Sequence, residues 1–216
     1  MPRVDFTLYL VTDRRQTAGR PLLAVLQEAL EAGVTAVQLR ERDLPTRELL
    51  DLAQALRELT RRYGARLLIN DRIDLALAVG ADGVHLRADS LPVAAARRLL
   101  GPARLIGQSA HTVEDVSRAE TEGADFAVLG PAYDTPSKRG YGPPLGLRPF
   151  EETRDCRIPV FAIGGVTAAR VGELRRAGAR GIALISSVLA AASPQAAARE
   201  LLKALDAGDG VAQVNP

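Results

Sequence analysis

Four segments of this chain repeat one pattern, and that repeat restricts the folds open to it. The segments are 32–39, 79–86, 122–129 and 177–184. Each follows an amphipathic helical stretch, has a glycine where that helix should end, and continues into a short apolar run. A glycine just past a helix end can adopt the left-handed conformation that satisfies the last carbonyls. The apolar run after it is typical of a strand buried on both faces, as in a parallel sheet.

Four further apolar runs bring the predicted strands to eight, and they lie at Phe6 to Val11, Arg66 to Ile69, Arg104 to Ile106 and Pro159 to Ile163. Helical patterns separate the runs, notably at Thr46 to Tyr63, Val113 to Glu122 and Ala168 to Ala177. Eight units in 216 residues leave about 27 residues for each strand and its helix,. We therefore predict a single α/β domain, a (β/α)8 TIM barrel with its active site at the C-terminal ends of the strands. An open doubly wound sheet is the alternative.

No linker divides the chain, so the barrel is predicted to span 1–206, with a flexible tail at 207–216. The long irregular stretch Gly130 to Leu147, with four glycines and four prolines, joins the sixth strand to its helix. A loop of this length is usually functional.

Composition excludes several classes of protein. A net charge of +2 gives no concentrated basic face for nucleic acid,. Cys156 is the only cysteine, so neither an internal disulfide nor a cysteine metal cluster is possible,. No apolar run approaches the roughly 18 residues of a membrane span, and no signal peptide is visible. We expect a cytoplasmic protein without membrane contact.

Polar residues follow the predicted strands where each one ends, which is where barrels of this class carry their chemistry. In strand order they are Thr12 and Asp13; Gln38, Arg40 and Arg42; Asn70 and Asp71; His85, Arg87 and Asp89; Gln108, Ser109 and His111; Thr135, Ser137, Lys138 and Arg139; Gly164 and Gly165; Ser186 and Ser187.

The last two strand ends predict a phosphate site. Gly164 and Gly165 precede a helix that starts near Thr167, so their backbone N–H groups can face an anion, and Ser186 and Ser187 add donors,. The alternative is that the glycine pair only makes a tight turn.

Three further groups have two interpretations each. Arg40 and Arg42, with Lys138 and Arg139 on the long loop, would together clamp a mono- or diphosphate, although each alone is an ordinary surface charge. Asp71 would hold magnesium or form a structural ion pair. His111 would act as an acid or base, whereas His85, inside a strand, is expected to be a hydrogen-bonding residue.

The same residues carry a family resemblance across nearly the whole chain. The matching runs are 9–13, 37–40, 69–72, 83–86, 109–112, 130–138, 162–165 and 181–186. They resemble thiamine phosphate synthase and its TenI relatives. The synthase joins a pyrimidine diphosphate to a thiazole phosphate and uses magnesium to stabilise the leaving pyrophosphate.

The resemblance implies two groups of ligand-binding residues and a homodimer. The residues implied to face the pyrimidine diphosphate are Gln38, Arg40, Asn70, Ser109 and Lys138. Those implied to hold the thiazole phosphate are Thr135, Ser137, Gly165, Ile185 and Ser186.

Two departures from the synthase pattern favour the TenI group. Arg40-Glu41-Arg42 replaces Arg-Glu-Lys, and Ser90 stands where the synthase has an aspartate that binds magnesium. Asp89 is offset from that position by one residue, and the positive Arg87 would compete with a metal ion.

On these departures we predict a TenI-type thiazole tautomerase, which shifts a proton on a carboxylated thiazole phosphate without a metal or other cofactor. His111, Tyr133 or Lys138 would move the proton, since Pro131 stands where characterised tautomerases have their catalytic histidine. The first alternative is the Mg²⁺-dependent synthase, with Asp71 as a metal ligand. The second is a regulatory protein that binds the phosphate ligand without catalysis.

Overall fold

The computed structural model of the chain describes residues 3–135 and 143–209. Eight parallel strands form a closed barrel in chain order, and β1 pairs with β8 through Leu8 and Ile182. The predicted (β/α)8 barrel is confirmed, and the open sheet is wrong because β1 and β8 are hydrogen-bonded neighbours.

The strands are short and alternate with helices along the chain. The strands are β1 (Leu8–Val11), β2 (Ala36–Leu39), β3 (Arg66–Asn70), β4 (Gly83–Leu86), β5 (Leu105–Ala110), β6 (Phe126–Leu129), β7 (Val160–Ile163) and β8 (Gly181–Leu184). The helices are α1 (Leu22–Glu31), α2 (Thr46–Arg62), α3 (Ile73–Ala78), α4 (Val93–Leu100), α5 (Val113–Glu122), α6 (Arg148–Glu152), α7 (Ala168–Ala177), α8 (Ser186–Leu189) and α9 (Pro194–Asp209), and a 3-10 turn (Arg14–Gln16) follows β1.

The glycines of the repeat end their helices as predicted. Gly33, Gly80, Gly123 and Gly178 all have positive φ, at 106°, 60°, 90° and 115°. Gly178 also packs closely against the backbone of Phe150: an added Cβ at Gly178 would lie 2.7 Å from the Phe150 carbonyl oxygen. The repeat therefore marks the turn that leads each of these helices into the next strand.

The apolar residues form two layers. The larger cluster lies between the strands and the surrounding helices, and the smaller one fills the barrel interior with Phe6, Tyr9, Phe126 and Phe161. These rings pack at centroid distances such as 5.5 Å for Phe126 and Phe161. The barrel is thus a packed core, and space for a ligand remains only at its ends.

The long loop connects β6 to α6, as predicted, and its two ends lie together: the N–H of Leu145 donates to the carbonyl of Pro131 at 2.8 Å. The last helix runs to Asp209, three residues past the predicted barrel boundary at 206. The predicted tail falls mostly outside the described residues and stays a prediction. Within the described ranges, no helix has the length and apolar character needed to cross a membrane.

Candidate functional site

The C-terminal mouth of the barrel contains two neighbouring cavities. One has a volume of about 370 Å³ and lies over strands β2 to β5, and the other has about 70 Å³ and lies over β7 and β8. Ile163 and Ile185 line both cavities and separate them. Ligands in the two cavities would therefore face each other across these two side chains.

The smaller cavity, here the phosphate cavity, unites residues predicted to bind a phosphate. It is lined by Thr135, Gly164, Gly165, Ile185, Ser186 and Ser187, among others. Among the described residues, none accepts a hydrogen bond from the backbone N–H of Gly164, Gly165, Ser186 or Ser187. The Ser187 hydroxyl donates to the carbonyl of Val166 at 2.9 Å and so ties the two loops together. Unpaired backbone donors in a concave site are suited to an anion.

Only glycine fits at the β7 end of this cavity. Gly164 and Gly165 have φ values of 96° and 63°, in the left-handed region. A Cβ on Gly164 would lie 2.7 Å from Cβ of Pro131, and one on Gly165 would lie 2.8 Å from Cβ of Tyr133. The pair therefore makes a tight turn and also exposes its N–H groups, so the two interpretations of the sequence are compatible.

Sequence reasoning missed one polar side chain of the phosphate cavity. Gln16, on the 3-10 turn after β1, lines it, and its side-chain amide donates to Asp13 at 2.6 Å. The only signal was the polar Thr12-Asp13 pair just before the turn. Ser137, predicted to hold the thiazole phosphate, lies outside the described residues, as do Lys138 and Arg139, predicted to act with Arg40 and Arg42.

The larger cavity, here the basic cavity, brings together six predicted residues, namely Gln38, Arg40, Arg42, Asn70, Ser109 and His111. Burial lowers the pKa of the Arg40 guanidinium, and the positive charges of Arg42 and Arg87 lower it further, against opposing contributions from Asp13 and Glu41. Since these guanidinium groups repel one another, an anion in the cavity would relieve the repulsion.

His85 lies at the base of the basic cavity and positions Ser109. It is buried in β4, and its Nε2 lies 3.0 Å from the Ser109 hydroxyl, while its Nδ1 has no partner among the described groups. Gln38 is held similarly, because its amide donates to the Tyr9 hydroxyl at 3.2 Å. His85 thus has the hydrogen-bonding role expected from the sequence, although only one ring nitrogen is satisfied.

This burial predicts a loss of stability in mild acid. Desolvation lowers the pKa of His85 to about 4, whereas unfolded histidine titrates near 6.5,. The unfolded chain therefore binds a proton more readily, and stability is lost as the pH falls from about 6.5 towards 4. We expect a loss of about 2 kcal/mol between pH 7 and pH 5 from this group. Chemical denaturation at the two pH values measures it, and an equal loss in His85→Gln would contradict the assignment.

Both carboxylate oxygens of Asp71 accept hydrogen bonds from other groups of the protein. The backbone N–H of Arg87 donates to Oδ1 at 2.9 Å, and the Asn70 amide donates to Oδ2 at 3.2 Å. Arg87 Nε lies 2.7 Å from the same Oδ2 and 3.4 Å from Oδ1 of Asp89. Asp71 itself has a positive φ of 56°, which aspartate tolerates better than most residues,.

These contacts fit a magnesium ion poorly. Within residues 3–135 and 143–209, no three His, Cys, Asp or Glu side chains group as metal ligands. A metal ion at Asp71 would lie beside the Arg87 guanidinium, whose Nε is 2.7 Å from Oδ2, and the two positive charges would repel each other,. The ion pair that the sequence offered as the alternative for Asp71 is what the structure contains, although its partner is Arg87 and not the adjacent Arg72, which pairs with Asp74 at 2.6 Å.

Two residues predicted to move protons have different surroundings. His111 lines the basic cavity, and because a carbonyl can only accept, its Nδ1 donates to Gly130 at 2.8 Å. Tyr133 lines neither cavity; its hydroxyl donates to Glu173 at 2.5 Å, and Arg170 stacks 4.2 Å from its ring centroid. Burial and Glu173 raise the pKa of Tyr133. This tyrosine therefore holds the β6 loop against α7.

The fold and the cavities define the class of protein: a (β/α)8 barrel with two neighbouring cavities at its C-terminal mouth, lined by glycine and serine residues in one and by arginines in the other. A family model described as thiamine monophosphate synthase matches residues 8–188. The chain belongs to the thiamine monophosphate synthase family, and it is an enzyme of the transferase class.

Three similar proteins illustrate the relationship. A Geobacter sulfurreducens protein provisionally named a thiamine-phosphate synthase is 55% identical over 206 residues, 95% of this chain and 97% of that protein. The thiamine-phosphate synthase of Roseiflexus castenholzii is 45% identical over 195 residues, 90% of this chain and 86% of that protein. A solved thiamine phosphate pyrophosphorylase from Pyrococcus furiosus has a TM-score of 0.85 at 37% identity, covering 94% of this chain and 96% of that one.

These relatives correct the predicted function. The TenI-type tautomerase is wrong, because relatives 40–55% identical over at least 90% of the chain are named as synthases. The proton-transfer roles predicted for His111, Tyr133 and Lys138 fall with it. Ser90 and Arg42, which led to the prediction, are single positions, whereas the likeness extends over the whole barrel.

Proposed function

We propose that this chain is a thiamine-phosphate synthase, which couples a hydroxymethylpyrimidine diphosphate to a thiazole phosphate and releases pyrophosphate. One observation carries the proposal: the mouth has two cavities, one beside the backbone N–H groups of Gly165 and Ser186 and one lined by Arg40 and Arg42, and both are lined by Ile163 and Ile185. A single-substrate isomerisation needs one such cavity, whereas a coupling of two phosphorylated molecules needs two. The names of the relatives support the same reaction.

The thiazole phosphate is assigned to the phosphate cavity. Its ester group would accept hydrogen bonds from the N–H groups of Gly165 and Ser186, and Thr135 would contribute to the wall. Ile185 and Ile163 then offer an apolar surface for the thiazole ring. This arrangement directs the ring towards the basic cavity.

The pyrimidine diphosphate is assigned to the basic cavity. Gln38, Asn70 and Ser109 provide uncharged polar groups, and Arg40 and Arg42 provide positive charge for the diphosphate. In the coupling, the bond between the pyrimidine methylene and the diphosphate oxygen breaks, and a bond from the thiazole nitrogen to that carbon forms. Charge develops on the departing pyrophosphate, so fixed cations beside it lower the barrier.

Magnesium serves this purpose in synthases that the chain resembles, and Asp71 is the residue that the sequence offers as its ligand. The oxygens of Asp71 contact Arg87 and Asn70, so the arginines of the basic cavity are the cations proposed to stabilise the departing pyrophosphate. His111 is proposed as a wall of the pyrimidine site. The dimer and the cytoplasmic location stay predictions.

The test is a coupling assay with purified full-length chain, both substrates, and either Mg²⁺ or chelator. We expect thiamine phosphate and pyrophosphate in equal amounts, detected by chromatography. Omission of either substrate is the control. Binding of both substrates with no product in either condition would contradict the proposal and favour a non-catalytic protein.

A further inference from the structure

The basic cavity contains a cation that neither the sequence motifs nor the proposed substrate contacts account for. Arg87 lines this cavity directly after β4, and its side chain is 43% exposed. Its ion pairs with Asp71 and Asp89 are closest at Nε, and no described residue accepts a hydrogen bond from either of its Nη groups. A guanidinium with a buried Nε and two unpaired Nη groups has its planar donor fork available for a ligand.

Protein groups fix Arg87 from three directions before any ligand arrives. Asp71 accepts from its backbone N–H at 2.9 Å and lies 2.7 Å from Nε. Gln108 donates to its carbonyl at 2.9 Å, and Asp89 lies 3.4 Å from Nε. The two hydrogen bonds fix the main chain at Arg87, and the carboxylates of Asp71 and Asp89 hold Nε of its side chain. Binding a ligand therefore costs less conformational entropy than it would for a free arginine.

The Arg87 guanidinium lies close to other charged groups of the mouth. It lines the same cavity as Arg40 and Arg42, and its charge acts on Arg40. Its Nε also lies 2.7 Å from Oδ2 of Asp71 and 3.4 Å from Oδ1 of Asp89, the carboxylates that a divalent cation at this mouth would use. The guanidinium therefore supplies positive charge where the carboxylates would otherwise collect a metal.

We infer that Arg87 binds the diphosphate of the pyrimidine substrate and the pyrophosphate product, taking the electrostatic place of a bound metal ion. The inference rests on the proposed function for the identity of the diphosphate. The part that can be tested without the substrate is that this chain binds a diphosphate anion through Arg87 in the absence of a divalent cation.

The test is calorimetric titration of inorganic pyrophosphate into the full-length chain with chelator present. The wild-type chain is expected to bind, and Arg87→Gln to bind roughly tenfold to a hundredfold more weakly, the loss of a charge-assisted contact. Arg98→Gln is the matched control, because Arg98 is exposed on α4 and lines neither cavity. Equal binding by Arg87→Gln and the wild-type chain would overturn the inference, as would wild-type binding that requires added Mg²⁺.

Thermal unfolding shows whether Arg87→Gln folds. Two further variants test the inference if it does not. Arg87→Lys keeps the charge but loses Nε and the planar fork, so weaker binding is expected; wild-type affinity would contradict the role of the fork. The double variant Arg87→Gly with Ser90→Asp frees Asp71 and adds a carboxylate. In chelator it should bind pyrophosphate more weakly than the wild-type chain, and Mg²⁺ should strengthen its binding; wild-type affinity in chelator would overturn the inference.

The titration does not depend on turnover, so the two proposals can fail separately. A wild-type chain that binds pyrophosphate through Arg87 but makes no thiamine phosphate would reject the proposed function alone. A chain that couples both substrates while Arg87→Gln binds pyrophosphate normally would reject the role of Arg87 alone.

Discussion

Replacing Ser186 with aspartate is expected to abolish binding of thiazole phosphate. Ser186 lines the phosphate cavity at the end of β8, and an aspartate there would place a negative charge against the phosphate. Two like charges about 4 Å apart near a protein surface repel by about 4 kcal/mol. That energy corresponds to a loss of about a thousandfold in affinity, measured by calorimetric titration of thiazole phosphate.

Ser193→Asp provides the control for this variant. Ser193 is exposed ahead of α9, and its hydroxyl accepts from the N–H of Ala196 at 3.2 Å. Aspartate caps a helix about as well as serine, so this variant should fold and bind as the wild-type chain does. If Ser186→Asp retained wild-type affinity, the thiazole phosphate would have to bind elsewhere, and the assignment of the phosphate cavity would be wrong.

Replacing Gly107 with alanine is expected to destabilise the barrel by about 3 kcal/mol, at the upper end of the cost of overpacking. Gly107 is buried in β5 between two rings of neighbouring strands. A Cβ there would lie 2.3 Å from Cζ of Phe126 and 2.6 Å from Nδ1 of His85. Neither ring has room to withdraw, because Phe126 is enclosed by Phe6, Tyr9 and Phe161.

Thermal unfolding measures this effect, with a lower melting temperature of about 6–12 °C expected for a chain of this length. Gly172→Ala is the matched control with the opposite sign. Gly172 lies inside α7 with no contact closer than 3.4 Å to an added Cβ, so alanine should stabilise the helix by up to about 1 kcal/mol,. A melting temperature for Gly107→Ala within one degree of wild type would contradict the prediction, because the rings around residue 107 would then have moved to accommodate the methyl group.

The strand that contains Gly107 is longer than its sequence pattern predicts. The sequence ends the fifth strand at Ile106, whereas β5 continues to Ala110. Gly107 to Ala110 is not an apolar run, and it is a strand because its backbone pairs with β6. Pairing of this kind depends on a partner distant in the chain, so local propensity does not predict it.

The sequence by itself determined the barrel and most of the residues at its mouth. Helix periodicity and the glycine at each helix end are local properties, and they placed α5 and α7 at the residues observed. Parallel strands in a closed barrel bring all their C-terminal ends to one rim, so the residues after the strands had to meet there. Gln38, Ser109 and Gly165 were found in this way.

Only the tertiary structure decided which of these groups pair with one another. Asn70 lies beside His85 in the register of β3 and β4, and this brings Asp71 to Arg87, whereas the adjacent Arg72 pairs with Asp74. The Tyr133 hydroxyl turns to Glu173 on α7 for the same kind of reason. Such contacts depend on distances between separate strands and helices, which the order of residues along one chain does not contain.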